Sequence, residues 1–141
     1  MLVQIEGKKG EERLVVSSRQ VAEDFEKRHD KLFSEIERMY GDLIATKNGN
    51  ARNGGHPLFY KNSYIHPQNK QTYSEYLMNR DGFALLVMGF TGEKALAWKL
   101  KYIAAFNEME EVLKRLFIDS VHRVRLLLKL SSVKLFQQSV L

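Results

Sequence analysis

From about Glu93 onward the apolar residues recur at helical spacing, and this constrains the chain more than any other feature. Leu96, Leu100, Ile103, Phe106, Met109, Leu113 and Leu116 stand three, four or seven residues apart, as one stripe of a helix requires. The pattern continues through Val121, Val124 and Leu128. A helix of that length outruns the surface one small domain can offer, so its apolar side needs a further partner. With 141 residues the chain is long enough for one domain with a real core. The expectation is a domain over 1–111 and a helical extension over 112–141. In the extension, Leu113, Leu116, Phe117, Val121, Val124 and Leu128 would form a homodimer interface.

Ahead of the long helix, the elements follow in a recognisable order. "LVQIE" and "RLVVS" are short β-prone runs around "GKKG", which predicts a small hairpin. Ser17 is placed to cap a helix, with Gln20 completing a capping-box pattern, and Val21, Ala22 and Phe25 follow at helical spacing. Asp30 is placed to cap a second helix carrying Leu32, Phe33, Ile36, Met39 and Tyr40, and Gly41 to end it. "ATKNGNARNGGHP", residues 45–57, has no periodicity and reads as a mobile loop. "LFYKNSYI", "HPQNKQ" and "TYSEYLMN" read as two strands around a polar turn, a hairpin over 58–79. Asp81-Gly82 is placed to open "FALLVMGF", a helix apolar nearly all round and therefore expected to be buried. Within the closing part, Phe83, Leu85, Leu86, Met88, Phe90, Trp98 and Phe106 are expected core residues, and Thr91-Gly92 a break. The class is α+β: a winged helix-turn-helix-like domain (helix-turn-helix 17–40, wing 58–79), then a buried short helix and a long C-terminal helix.

The residue inventory removes several function classes. There is no cysteine, hence no disulfide framework and no thiolate chemistry, which fits a reducing cytoplasm. His29, His56, His66 and His122 do not pair with other ligand types at metal-binding spacing, so neither metal nor cofactor is expected. Glu108, Glu110 and Glu111 read as a solvated helix face, and the serines lack a nucleophile-elbow context. A convergent set of reactive groups is missing, so the chain is not read as an enzyme. The apolar runs are too short for a membrane span, and the N-terminus lacks the order of a signal peptide.

Charge points to nucleic acid without settling the surface. The net charge is +5, compatible with a nucleic-acid partner. It is unevenly spread: 8 Lys+Arg against 9 Asp+Glu over 1–40, 5 against 2 over 41–80, and 9 against 6 over 81–141. If 17–40 is a helix-turn-helix, the second helix presents Lys31, Ser34, Glu35 and Arg38 outward near its start. Lys27, Arg28 and His29 would lie at the turn near phosphates. Ser18, Arg19 and Gln20 would offer amides and a cation at the start of the first helix. Lys61, Asn69 and Lys70 would contribute from the wing. The same stretch also reads as two bent core helices packed on a hairpin, with Glu23, Asp24, Glu26 and Glu35 repelling phosphate.

From Leu14 to about Val112 the sequence resembles the phage regulatory protein family called Rha. The resemblance rests on "SSRQVAEDFEKRHDKLFSEIE" and, more specifically, on "YLMNRDGFALLVMGFTGEKALAWKLKYIAAFNEME", residues 76–110. It implies a phage or prophage regulator acting in the bacterial host cytoplasm and binding double-stranded DNA. The alternative it leaves open is an antirepressor-type modulator that binds a phage or host regulator protein without contacting DNA.

Overall fold

In the computed structural model, residues 2–7 and 12–140 are described, with side chains as far as Ser131. Two compact units are distinguished, Met1–Phe106 and Asn107–Leu141. The first holds a four-stranded antiparallel sheet of order β1-β2-β4-β3, formed by β1 (Gln4–Glu6), β2 (Arg13–Ser17), β3 (Phe59–Ile65) and β4 (Thr72–Met78). Its helices are α1 (Ser18–Asp24), α2 (His29–Tyr40), α3 (Arg80–Val87) and the start of α4 (Glu93–Val140). The fold is α+β, with two helices between β2 and the β3–β4 hairpin and a long C-terminal helix. Gln4 pairs with Val15 and Glu6 with Arg13, making the expected N-terminal hairpin; its connecting residues 8–11 lie outside the described residues.

The strand-to-helix switch at Ser17-Ser18 organises this unit. β2 pairs with β4 only through Val16↔Met78 and Ser17↔Leu77. At Ser17 the chain leaves the sheet, and the Ser17 hydroxyl caps α1 by accepting the Arg19 N–H at 3.1 Å. The Ser17 O–H itself donates to Oε2 of the buried Glu75 at 2.7 Å, while Asn62 donates to Oε1 at 3.0 Å. The next rung of the ladder is completed by a side chain. The Tyr76 N–H donates to Ser18 Oγ at 2.9 Å, so the amide β2 abandons still has a partner. Gln20 does not close a capping box; its amide donates to Asp24 at 3.0 Å.

α2 packs across one face of the hairpin. Phe33 meets Tyr76 (centroids 4.7 Å), Tyr40 stacks on Phe59 (5.5 Å), and the Tyr76 hydroxyl donates to Glu37 at 2.9 Å. Burial and this hydrogen bond to a carboxylate both push the Tyr76 phenol above its ordinary range. A second aromatic cluster joins Phe25 to Phe83, Phe90 and Tyr102, with Phe83 against Tyr102 at 4.6 Å. Tyr102 is fully buried and donates its hydroxyl to Asp24 at 2.6 Å, tying α4 to α1.

Several boundaries differ from the sequence expectations. Asp30 does not cap α2; Arg28 is the N-cap, without a side-chain bond, and pairs with Asp30 at 2.7 Å. Asn79, not Asp81, caps α3 by accepting the Gly82 N–H. α3 stops at Val87, so Met88 lies beyond it and is 75% exposed; Asp81 and Ala84 face outward as well. On α4, Leu96, Leu100 and Ile103 are exposed, whereas Tyr102 and Phe106 are buried. Leu96 is four residues from Leu100 and so meets the helical period, but the two large aromatic rings claim the inward face. Residues 45–57, expected to be a mobile loop, are tied at several points. Ala45 N–H bonds Phe59 O, Thr46 N–H bonds Asn50 O, Ala51 N–H bonds Gly55 O, and Asn53 N–H bonds Asp42 O.

Candidate nucleic-acid interface

The turn between α1 and α2 takes four residues, within the range of a helix-turn-helix connection. Phe25 plugs the core while Glu26 takes a left-handed backbone, φ 55°. That geometry throws Lys27 and Arg28 outward, and both are exposed. Lys27 Nζ lies 5.0 Å from the Phe90 ring, and Arg28 is held by Asp30. On α2, the exposed Lys31, Ser34 and Arg38 are spaced three and four residues apart and share one outward face. Asp30 is exposed and Glu35 half-buried, so the charges of this helix largely balance.

Strand parity sorts the remaining candidates. Lys61 lies on the sheet face that carries α2, its Nζ 5.7 Å from the Phe33 ring. Tyr60 and Tyr64 are on the opposite face, and the Arg13 and Arg19 guanidinium groups sit over them at 3.9 and 3.6 Å. Arg19 is therefore separated by the sheet from Lys61. Asn69 and Lys70 are exposed at the hairpin tip, where Lys70 has φ 60° and Asn69 both donates to the Tyr73 hydroxyl and accepts the Gln71 N–H. The tip is thus built by its own hydrogen bonds.

Two expected contact residues turn inward. Ser18 is fully buried, with its hydroxyl committed to Tyr76 N–H and, at 2.8 Å, to His29 Nε2. His29 is the first residue of α2, not a residue of the turn, and is half-buried. Burial and the nearby Arg19 cation hold its pKa below the usual histidine value, with Glu75 and Asp30 opposing. Ser18 Oγ and His29 Nε2 share this hydrogen bond, and with the Tyr76 N–H it joins α1, α2 and β4.

A further basic element, read from the sequence as a basic loop favouring DNA but given no contact residues, follows α2. From Leu43 to Ser74 there are four Lys or Arg residues and no carboxylate. Lys47, Arg52 and His56 of this run are exposed in the closed loop that follows α2. The charge excess over 41–80 gave the signal, but a loop expected to be mobile offered no fixed positions from which to name contact residues. In the second unit, Leu113 and Val121 are half-buried and Leu116, Phe117, Val124 and Leu128 exposed. Among the described residues no group of three acidic, histidine or cysteine side chains is arranged for a metal, and no helix is long and apolar enough to cross a membrane.

Comparison with known proteins supplies the family. Residues 16–111 match the family model described as phage regulatory protein Rha. The chain is similar to an uncharacterized protein of Haemophilus influenzae, 31% identical over 117 residues, covering 79% of this chain and 61% of the relative. It thus spans less than two thirds of that relative's length. No solved structure matches. The matched segment takes in α1, α2, the hairpin, α3 and the first part of α4, and the chain belongs to the phage regulatory protein Rha family.

Proposed function

We propose that the chain is a phage regulator that binds double-stranded DNA sequence-specifically, through a winged helix-turn-helix, as a homodimer in the cytoplasm of a bacterial host. It is a binding protein and not an enzyme, and neither metal nor cofactor has a part in the proposal. The observation that carries the reading is the order strand, helix, four-residue turn, helix, hairpin, with β2 closing onto the second hairpin strand. This order lays α2 across the hairpin with Lys31, Ser34 and Arg38 outward, as a recognition helix requires. Lys27 and Arg28 at the turn, with Lys61, Asn69 and Lys70 on the wing, take the phosphates that supply most of the affinity. Arg19 and Gln20 can reach only a backbone flank, and Ser18 and His29 hold the helices in place.

Lys27→Ala, Arg28→Ala and Lys31→Ala combined are expected to weaken duplex binding about tenfold or more at moderate salt. All three are exposed, so unfolding is not expected to accompany the loss. An unchanged affinity would remove the helix-turn-helix reading. The homodimer is assigned to Leu113, Leu116, Phe117, Val121, Val124 and Leu128, because an apolar stripe on an extended helix needs a covering surface. Sedimentation should give a dimer for the full chain, and a Phe117→Glu, Leu128→Glu variant should be monomeric. A monomeric parent would refute this interface.

A second reading is favoured by the charge of the helix pair. Residues 17–40 carry 5 Lys+Arg against 6 Asp+Glu, a net −1 that suits a protein partner better than phosphate. On that reading the chain is an antirepressor that sequesters a phage or host regulator.

A further inference from the structure

The loop between α2 and β3, like the tip of the β3–β4 hairpin, is held by its own hydrogen bonds. Thr46 N–H and Thr46 Oγ1 both bond Asn50 O, at 2.8 and 2.9 Å, and Gly49 N–H returns to Thr46 O at 3.0 Å. Gly49 and Gly54 take the positive φ values, 84° and 88°, that these tight turns need. Ala45 bridges Ala51, and Asn53 Oδ1 accepts the Gly55 N–H. A connection that only joined α2 to β3 would not require this. The closed loop presents Lys47, Arg52 and His56 to solvent with no carboxylate among residues 43–74. Two carboxylates stand at this end of α2: Glu37, which accepts the Tyr76 hydroxyl, and the exposed Asp42.

Its position follows from the strands. The loop re-enters the sheet at Phe59, where Ala45 N–H bonds Phe59 O, and the wing tip begins after Ile65. β3 separates them by about 20 Å at 3.3 Å per residue. α2 lies on the face between, with Tyr40 against Phe59, and an Arg52 guanidinium nitrogen lies 3.6 Å from where a Gly41 side chain would start. That spacing straddles a major groove about 12 Å wide. We infer that the loop over residues 46–56 is a second phosphate-contacting arm, gripping the DNA backbone beyond the C-terminal end of α2 and opposite the wing. Lys47 and Arg52 each meet a phosphate, and the hydrogen-bonded turns hold them in place before binding. The inference rests on the duplex-binding reading above and adds to it a three-point grip: loop, α2 and wing.

The test is a salt-series titration of the full chain and its variants with a random-sequence duplex. Lys47→Ala with Arg52→Ala should weaken binding about tenfold at moderate salt and flatten the log–log salt slope by about 1.8 per protomer, 0.9 for each phosphate lost. Because Arg52 also lies beside Gly41, Lys47→Glu alone, at an exposed side chain, provides a variant expected to fold normally. It should weaken binding about fivefold or more and flatten the slope by about 0.9. A parent that binds duplex while both loop variants keep its affinity and slope overturns the second arm and leaves the helix-turn-helix standing. A parent that binds no duplex overturns both.

Discussion

Replacing Ser18 by alanine removes one hydroxyl from the point where β2 becomes α1, and the structure sets the size of the effect. That hydroxyl is fully buried, accepts the Tyr76 N–H at 2.9 Å and shares a hydrogen bond with His29 Nε2 at 2.8 Å. Alanine leaves the Tyr76 amide facing a methyl group in the space its sheet partner vacated. An unsatisfied buried amide costs about 1–3 kcal/mol and the lost bond to His29 about 1 kcal/mol more. The better helix propensity of alanine returns about 0.5 kcal/mol. The net loss is about 1.5–3.5 kcal/mol, which for a unit of this size lowers Tm by roughly 10 °C. Thermal and urea unfolding followed by circular dichroism reads it, with Ser34→Ala on the exposed face of α2 as the control. A Ser18→Ala protein within about 0.5 kcal/mol of the parent would refute the claim that this hydroxyl completes the sheet ladder.

His29 gives a pH signature: its folded pKa lies below the unfolded value, so the unfolded chain binds more protons between the two. Stability should therefore be level above about pH 6.5, fall as pH drops through that value, and fall less in His29→Asn; parallel profiles for parent and variant would contradict the assignment. Glu26→Gly should stabilise by about 0.5–1 kcal/mol, since only glycine holds a left-handed backbone without cost and the exposed Glu26–Lys94 pair contributes little. A lowered Tm would show that the turn needs its glutamate. Gly82→Ala should destabilise by about 1–3 kcal/mol, because the added carbon would meet the Leu58 carbonyl oxygen at 2.6 Å and Met78 Cβ at 3.2 Å; an unchanged midpoint would mean that α3 can shift outward.

The elements that periodicity describes were legible and those that geometry describes were not. Leu32 and Ile36 mark the inner face of α2, and the strands of the β3–β4 hairpin were bounded correctly by their aromatic alternation. α4 offered two apolar faces at helical spacing. Sequence could not tell that Tyr102 and Phe106 would win the core over Leu96, Leu100 and Ile103, because that depends on the cavity left by Phe25, Phe83 and Phe90. Caps were missed where two candidates stood one or two residues apart, Asn79 against Asp81 and Arg28 against Asp30. At the candidate interface, Lys31, Ser34 and Arg38 were placed by counting along a helix. Ser18 and His29 were misplaced because their partners, Tyr76 N–H and each other, come from separate elements. The loop 45–57 read as mobile because its order lies in backbone hydrogen bonds, which composition does not reveal.

The central claim is that the chain grips duplex DNA through charged side chains on α2, the preceding turn and the wing. It is tested most directly by titrating the full protein against a random-sequence duplex across a salt series. Four phosphates met by each protomer through turn and wing, or six with the loop, predict affinity falling with a log–log slope of roughly −3.5 to −5.5 per protomer. A flat salt response, or no binding at low salt, would contradict the claim and favour a regulator that acts on another protein.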